Sequence, residues 1–203
     1  MKEADFPKIT RMLNSFGKEV VKKAKKNLKK AKEGGGNLEK SIKFNLIPES
    51  DGFVVEFSMA DYGSFVDKGV KGAGGTIKSG KHAGSYGGRR WYMTWEGKRK
   101  DSPYKFGSGK SSGSIYKGIG SFIQKKGLQP RSAGGQFMTT AGLKIAIVKV
   151  LWVKGIHGIS FFQNSLMLGM RSFKKEFGEA LKADIIEAWG GMESSTGTWS
   201  MFD

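Results

Sequence analysis

An apolar stripe near the end of the chain most constrains what it can become. In FFQNSLMLGMRSFKKEFGEALKADIIEAW (Phe161 to Trp189), Leu166, Met170, Phe173, Phe177, Leu181, Ile185 and Ala188 recur at steps of three and four. That spacing lays one greasy line down a helix of about six turns. Asn164 is placed as an N-cap and Gly190–Gly191 as the glycines that end it. Lys175 and Glu179, four apart, form a helix-supporting pair on the wet side. A second stripe mirrors the first. Over Phe6 to Lys32, Ile9, Leu13, Phe16, Val20, Ala24, Leu28 and Ala31 keep the same rhythm, and Gly34–Gly36 should stop that helix.

Between the stripes the pattern changes to period two. Ser41 to Ile47 and Phe53 to Met59 alternate and are rich in β-branched and aromatic residues, with Pro48-Glu49-Ser50-Asp51-Gly52 supplying turn chemistry. A β-hairpin over 41–59 follows. Ala60 to Gly72 reads as a short helix or turn. Ser114 to Lys126 reads as a short helix. The β-branched content of Phe137 to Lys154 favours a strand, but Leu143, Ile147, Val150, Leu151 and Lys154 also fit a helix face. The shared ending of a lysine before a closing glycine (QKKGL and WVKGI) favours helix for both. The fold class is therefore α+β: a small antiparallel sheet packed with long terminal helices, plus a long Gly/Lys-rich loop insertion. One domain over 1–190 is expected, with the insertion at about 71–113, inserted helices at about 114–155 and a flexible tail at 191–203.

Charge narrows the partners. The 203 residues carry a net charge of +17, and 31 of them are glycine. A chain this basic meets polyanions or acidic surfaces. The outer face of the first helix is nearly all lysine, and Lys22, Lys25, Lys26 and Lys29 are candidates to face DNA. From Lys68 to Arg131 there are fifteen Lys or Arg against only Glu96 and Asp101. Within that stretch Arg89, Arg90, Lys98 and Arg99 interleave with Trp91, Tyr92 and Trp95. Such a mixture suits nucleic-acid backbones and bases. It suits protein interfaces equally well.

Catalytic and metal chemistry find little footing. The chain has no cysteine and two histidines, His82 and His157, in no ligand-like spacing. Asp61 and Asp67 form a candidate carboxylate pair, but lysines stand close and no histidine does, so solvated loop charges are the better reading. Gly107-Ser108-Gly109-Lys110-Ser111 imitates a phosphate-binding loop. Tyr104 occupies the place of its first glycine, and no apolar strand leads into it. No cofactor or metal is expected. The longest apolar run, Ile145 to Val153, is short and interrupted by Lys149, so no membrane span is expected either. MKEADFPKIT lacks the apolar core of a signal peptide.

The order of elements resembles the HK97 gp10-like family of tailed-phage tail-completion (neck) proteins. Tyr62, Phe65, Val66, Asp67 and Gly69 are similar to the family's YA-x-x-V-E-x-G-T segment, with Asp67 for the usual Glu and Val70 for Thr. Lys154-Gly155-Ile156 followed by Phe161-Phe162 resembles its KGI…PFF segment, with Ser160 where proline is common. Gln124 to Leu128 is similar to the KKG segment of members with an insertion. The likeness spans roughly residues 6–70 and 114–189; Ala73 to Gly113 and the tail have no counterpart.

The resemblance implies a non-enzymatic virion component, assembled in the host cytoplasm, that forms a six- or twelvefold ring between the head–tail connector and the tail. Its partners would be further copies, neighbouring portal and tail proteins, and packaged DNA in the channel. Tyr62, Phe65 and Asp67, at the junction of sheet and loop, and Trp91, Tyr92 and Trp95 are the candidate interface residues. The alternative is an architectural nucleic-acid-binding protein using the lysine face and the basic aromatic loop.

Overall fold

A computed structural model describes residues 6–31, 36–50, 52–78, 80–106, 114–128 and 139–193. It is mixed α+β, with long terminal helices and small antiparallel sheets. Gly34, Gly35, the phosphate-loop mimic at 107–111 and the tail beyond 193 lie outside the described residues. Backbone contacts group the chain into two units, 1–60 with 161–203, and 61–160.

The first unit is built on two antiparallel helices. Helix α1 (Pro7–Lys30) buries Ile9, Leu13, Phe16, Val20, Ala24 and Leu28, the stripe read from its periodicity. The last helix, α6 (Phe161–Glu193), starts three residues before Asn164 and runs through Gly190–Gly191, which do not end it. Its buried line also differs from the expected one. Phe161, Ser165, Gly169 and Asp184 are the most enclosed positions, whereas Ile185 faces solvent. Closeness explains the middle of that line: a Cβ on Gly169 would lie 2.9 Å from the Phe16 ring and 3.0 Å from Val20, so a side chain there would force its neighbours to shift. Leu166, Met170, Phe173 and Phe177 flank that line half-buried.

Strands β1 (Lys43–Glu49) and β2 (Gly52–Ser58) form the expected hairpin, in register from Lys43↔Ser58 to Glu49↔Gly52. A short helix not foreseen in the sequence, α2 (Asn37–Ser41), precedes it. The hairpin turns Phe44, Leu46, Phe53, Val55 and Phe57 inward and leaves the alternate residues exposed. Phe57 meets Phe16 and Phe162 edge-on at 6.4 and 5.4 Å, and Phe16 meets Phe173 at 4.8 Å. These rings form the unit's aromatic core.

The second unit replaces the expected loop with small paired strands. Helix α3 (Gly63–Lys68) leads into β3 (Val70–Lys71), then β4 (Gly75–Ile77) pairs with β5 (Gly84–Tyr86), and β6 (Trp91–Met93) with β7 (Arg99–Asp101). Strands of three residues escape periodicity analysis, because alternation needs more positions to show. Glycines at positive φ, such as Gly74, Gly84, Gly88 and Gly97, supply the bends.

Helices α4 (Ser114–Lys126) and α5 (Thr140–Lys154) form as expected and pack together. Thr139 caps α5, its hydroxyl accepting from the Gly142 amide at 3.1 Å. Gly127, at φ 57°, closes α4 with amide bonds from Gly127 to Gln124 and from Leu128 to Ile123. Strand β8 (Gly155–Ile156) follows α5.

Candidate interaction surfaces

Two of the sequence segments read as resembling the family lie 85 residues apart and meet in space. Val70 pairs with Ile156 and Lys71 with Gly155, joining β3 to β8. Next to that ladder, the Ile159 amide donates to Val66 O at 3.0 Å and the Ser160 amide to Asp67 O at 2.9 Å. Glycines make the approach possible. A Cβ on Gly69, Gly72, Gly155 or Gly158 would overlap backbone atoms of the opposing segment. The glycines of Asp67-x-Gly69 and Lys154-Gly155 are thus steric requirements of one joint.

Ser160 stands where the resemblance read from the sequence would expect a proline. Its φ is 49°, a conformation closed to proline. Its hydroxyl accepts from the Met93 amide at 3.0 Å, which ties β6 to the joint. Ser102, also buried, donates to Gly69 O at 2.7 Å and accepts from the Tyr104 amide at 3.2 Å. Sequence reasoning missed both serines. Neither lies in a periodic pattern that would mark it.

The six expected interface residues divide. Tyr62, Phe65, Trp91 and Trp95 are exposed, as a contact surface needs. Asp67 and Tyr92 are not: they are 2% and 7% exposed. Asp67 sits at the β3–β8 joint, and Tyr92 lies inward on β6 because strand alternation turns it opposite to Trp91. Phe65 meets Tyr104 edge-on at 4.4 Å, and Arg99 lies over the Trp91 ring at 3.5 Å.

The basic residues of this unit are partly engaged. Lys98 pairs with Glu96 at 3.1 Å, an exposed contact of small energetic weight. Arg89 is exposed. Arg90 donates from Nη1 to the Arg89 carbonyl at 2.9 Å, while its Nε is buried without a hydrogen-bond partner. Desolvation lowers its pKa from the ordinary guanidinium value.

In the first unit the four candidate lysines come together. Lys22, Lys25, Lys26 and Lys29, with Lys18, line an open groove of about 550 Å³ whose other walls are Val21, Glu39 and Phe44. Positions 18, 22, 25, 26 and 29 share one helical face, so periodicity contains this cluster. Only the fold adds its floor. Phe44 reaches it from β1, lying against Gly17, where a Cβ would collide with the ring. Glu39 reaches it from α2 and holds Lys29 at 3.2 Å.

Among the described residues no cluster of His, Asp and Glu could hold a metal ion, and no helix is long and apolar enough to cross a membrane. What the surfaces offer is aromatic and cationic contact area.

Residues 5–69 match the family model HK97-gp10_like, described as "Bacteriophage HK97-gp10, putative tail-component". The N-terminal third is thus similar to the HK97-gp10-like family. The match takes in α1, the hairpin and α3, and ends at Gly69, the first glycine of the joint. The matched segment contains the whole lysine groove together with Tyr62, Phe65 and Asp67. The Lys154–Phe162 segment lies beyond the match. No curated protein and no solved structure gives a significant match to the chain.

Proposed function

We propose that this protein is a non-enzymatic structural subunit of a bacteriophage tail, one that self-associates into a ring at the neck, between connector and tail. The HK97-gp10-like match over residues 5–69 carries this reading. The surfaces support it. Tyr62, Phe65, Trp91 and Trp95 expose aromatic area that a neighbouring copy or a tail protein would cover. The exposed Arg89, with Arg90, Lys98 and Arg99 in the same unit, suits the wall of a channel filled with DNA. Such a subunit belongs in the virion and works by shape and charge, without a cofactor.

A second reading, an architectural nucleic-acid-binding protein, is favoured by the lysine groove, whose five cations share one helix face. Light scattering at low and physiological salt separates the two. A closed oligomer, or a monomer that forms rings when virion proteins are added, supports the neck subunit. A strict monomer that binds duplex DNA tightly, with affinity falling steeply as salt rises, supports the DNA binder.

A further inference from the structure

We infer that the lysine groove of α1 receives the C-terminal segment of a second copy of this chain, with Trp199 seated on the Val21–Phe44 floor. The inference rests on the self-association proposed above.

The groove's composition selects the class of occupant. Five lysine ammonium groups stand around an apolar floor, and the Glu39 carboxylate forms part of the wall. A DNA backbone brings phosphates but no apolar group to fill that floor, and Glu39 repels it. A peptide with carboxylates flanking an aromatic side chain satisfies both parts at once. A buried Trp covers about 150–250 Å² of apolar surface, which suits a groove of this size.

The chain contains such a peptide. After Lys182 it has no Lys or Arg. Of the four carboxylates beyond that point, Asp184 and Glu187 are engaged with the start of α1. The other two are Glu193 and Asp203, and between them lie Trp199, Met201 and Phe202.

Geometry decides between the chain's own groove and a neighbour's. Asn27 reaches the Phe161 carbonyl and Ser165, while Ile9 meets Asp184, so α6 runs antiparallel to α1. Glu193 therefore lies nine residues past the level of Ile9, about 13 Å along the axis. Lys18 lies nine residues the other way and Lys29 twenty, so the groove begins about 27 Å from Glu193 and ends about 43 Å from it. The six residues from Glu193 to Trp199 span at most about 20 Å. Trp199 cannot reach its own groove. A tail placed in the next copy's groove is a head-to-tail contact, the kind that closes into a ring.

The absence of cysteine makes disulfide trapping clean. Full-length Lys22→Cys protein is mixed with full-length Ser200→Cys protein under mild oxidation, with light scattering of the unaltered protein in parallel. The expected product is a disulfide-linked pair of the two chains. Adding Trp199→Ala to the Ser200→Cys chain should weaken the association about tenfold. A single chain carrying both substitutions, when dilute, should form no internal link.

If no link forms although the unaltered protein is a closed oligomer, the tail assignment falls and the ring stands. If the link forms while the unaltered protein associates only into open chains that lengthen with concentration, the assignment stands and the closed ring falls. Duplex DNA that shields the thiol of the Lys22→Cys protein from alkylation, with no linked pair, overturns the assignment in favour of DNA.

Discussion

Asp184, on the last helix, caps the first: its Oδ2 accepts from the Ile9 amide at 2.9 Å and its Oδ1 from the Lys8 amide at 3.0 Å. The residue before α1 is Phe6, which offers no side-chain cap. Two amides of the opening turn would otherwise be left without partners, one of them buried. A carboxylate is also the group that a helix N-terminus favours. One aspartate thus completes α1 and fixes its axial position against α6.

Removing that carboxylate should be costly at the level of the whole fold. Asp184→Ala is expected to lower unfolding free energy by about 2 kcal/mol, and Asp184→Asn by less, since the amide keeps one acceptor. Urea denaturation followed by circular dichroism measures both. Equal midpoints for all three proteins would contradict the capping role.

Three glycines should respond in three different ways to alanine. At Gly155, φ is 79° and a Cβ would overlap the Val70 carbonyl, so Gly155→Ala should cost about 3 kcal/mol or more in the second unit. At Gly169 the neighbours are side chains, and a packing cost of about 1–3 kcal/mol is offset by about 1 kcal/mol of helix propensity. At Gly178 a Cβ meets nothing within 4 Å, so Gly178→Ala should stabilise by up to about 1 kcal/mol. The order of the three thermal midpoints is the test.

Ser102→Ala should cost about 1–2 kcal/mol, because it removes the hydroxyl from the Gly69 carbonyl and from the Tyr104 amide in a buried position. Hydrogen exchange would report it locally, as faster exchange at Tyr104 than at Ile9. Uniform protection across both units would argue against the role assigned to Ser102.

Tyr62→Ala and Trp95→Ala remove exposed rings and should change stability by no more than about 0.5–1 kcal/mol. If these rings are covered in an assembly, the same variants should shift the oligomer toward monomer by tenfold or more in concentration, about 1.4 kcal/mol. Tyr92→Ala should do the reverse, destabilising the fold by about 3 kcal/mol because its ring is buried. Sedimentation velocity and thermal unfolding together separate the two effects.

By itself the sequence determined the long elements and the charge. Residues recurring at three and four place the α1 stripe from Ile9 to Leu28, because a helix 24 residues long repeats its pattern many times, and only Ala31, beyond the helix end, falls outside it exposed. The alternation of Phe53 to Phe57 did the same for the hairpin, and spacing alone put five lysines on one face. Tertiary structure decided what periodicity does not encode. The small pairs between Val70 and Asp101 are too short to show a pattern. The buried line of α6 passes through Gly169 because close helix approach favours absence of side chain over hydrophobicity. Asp184 became a cap only when Ile9 arrived 175 positions away, and Phe44 became the floor of the lysine groove only when the hairpin closed over Gly17. Local repetition is written along the chain, while contacts between distant single residues exist only once the chain has folded.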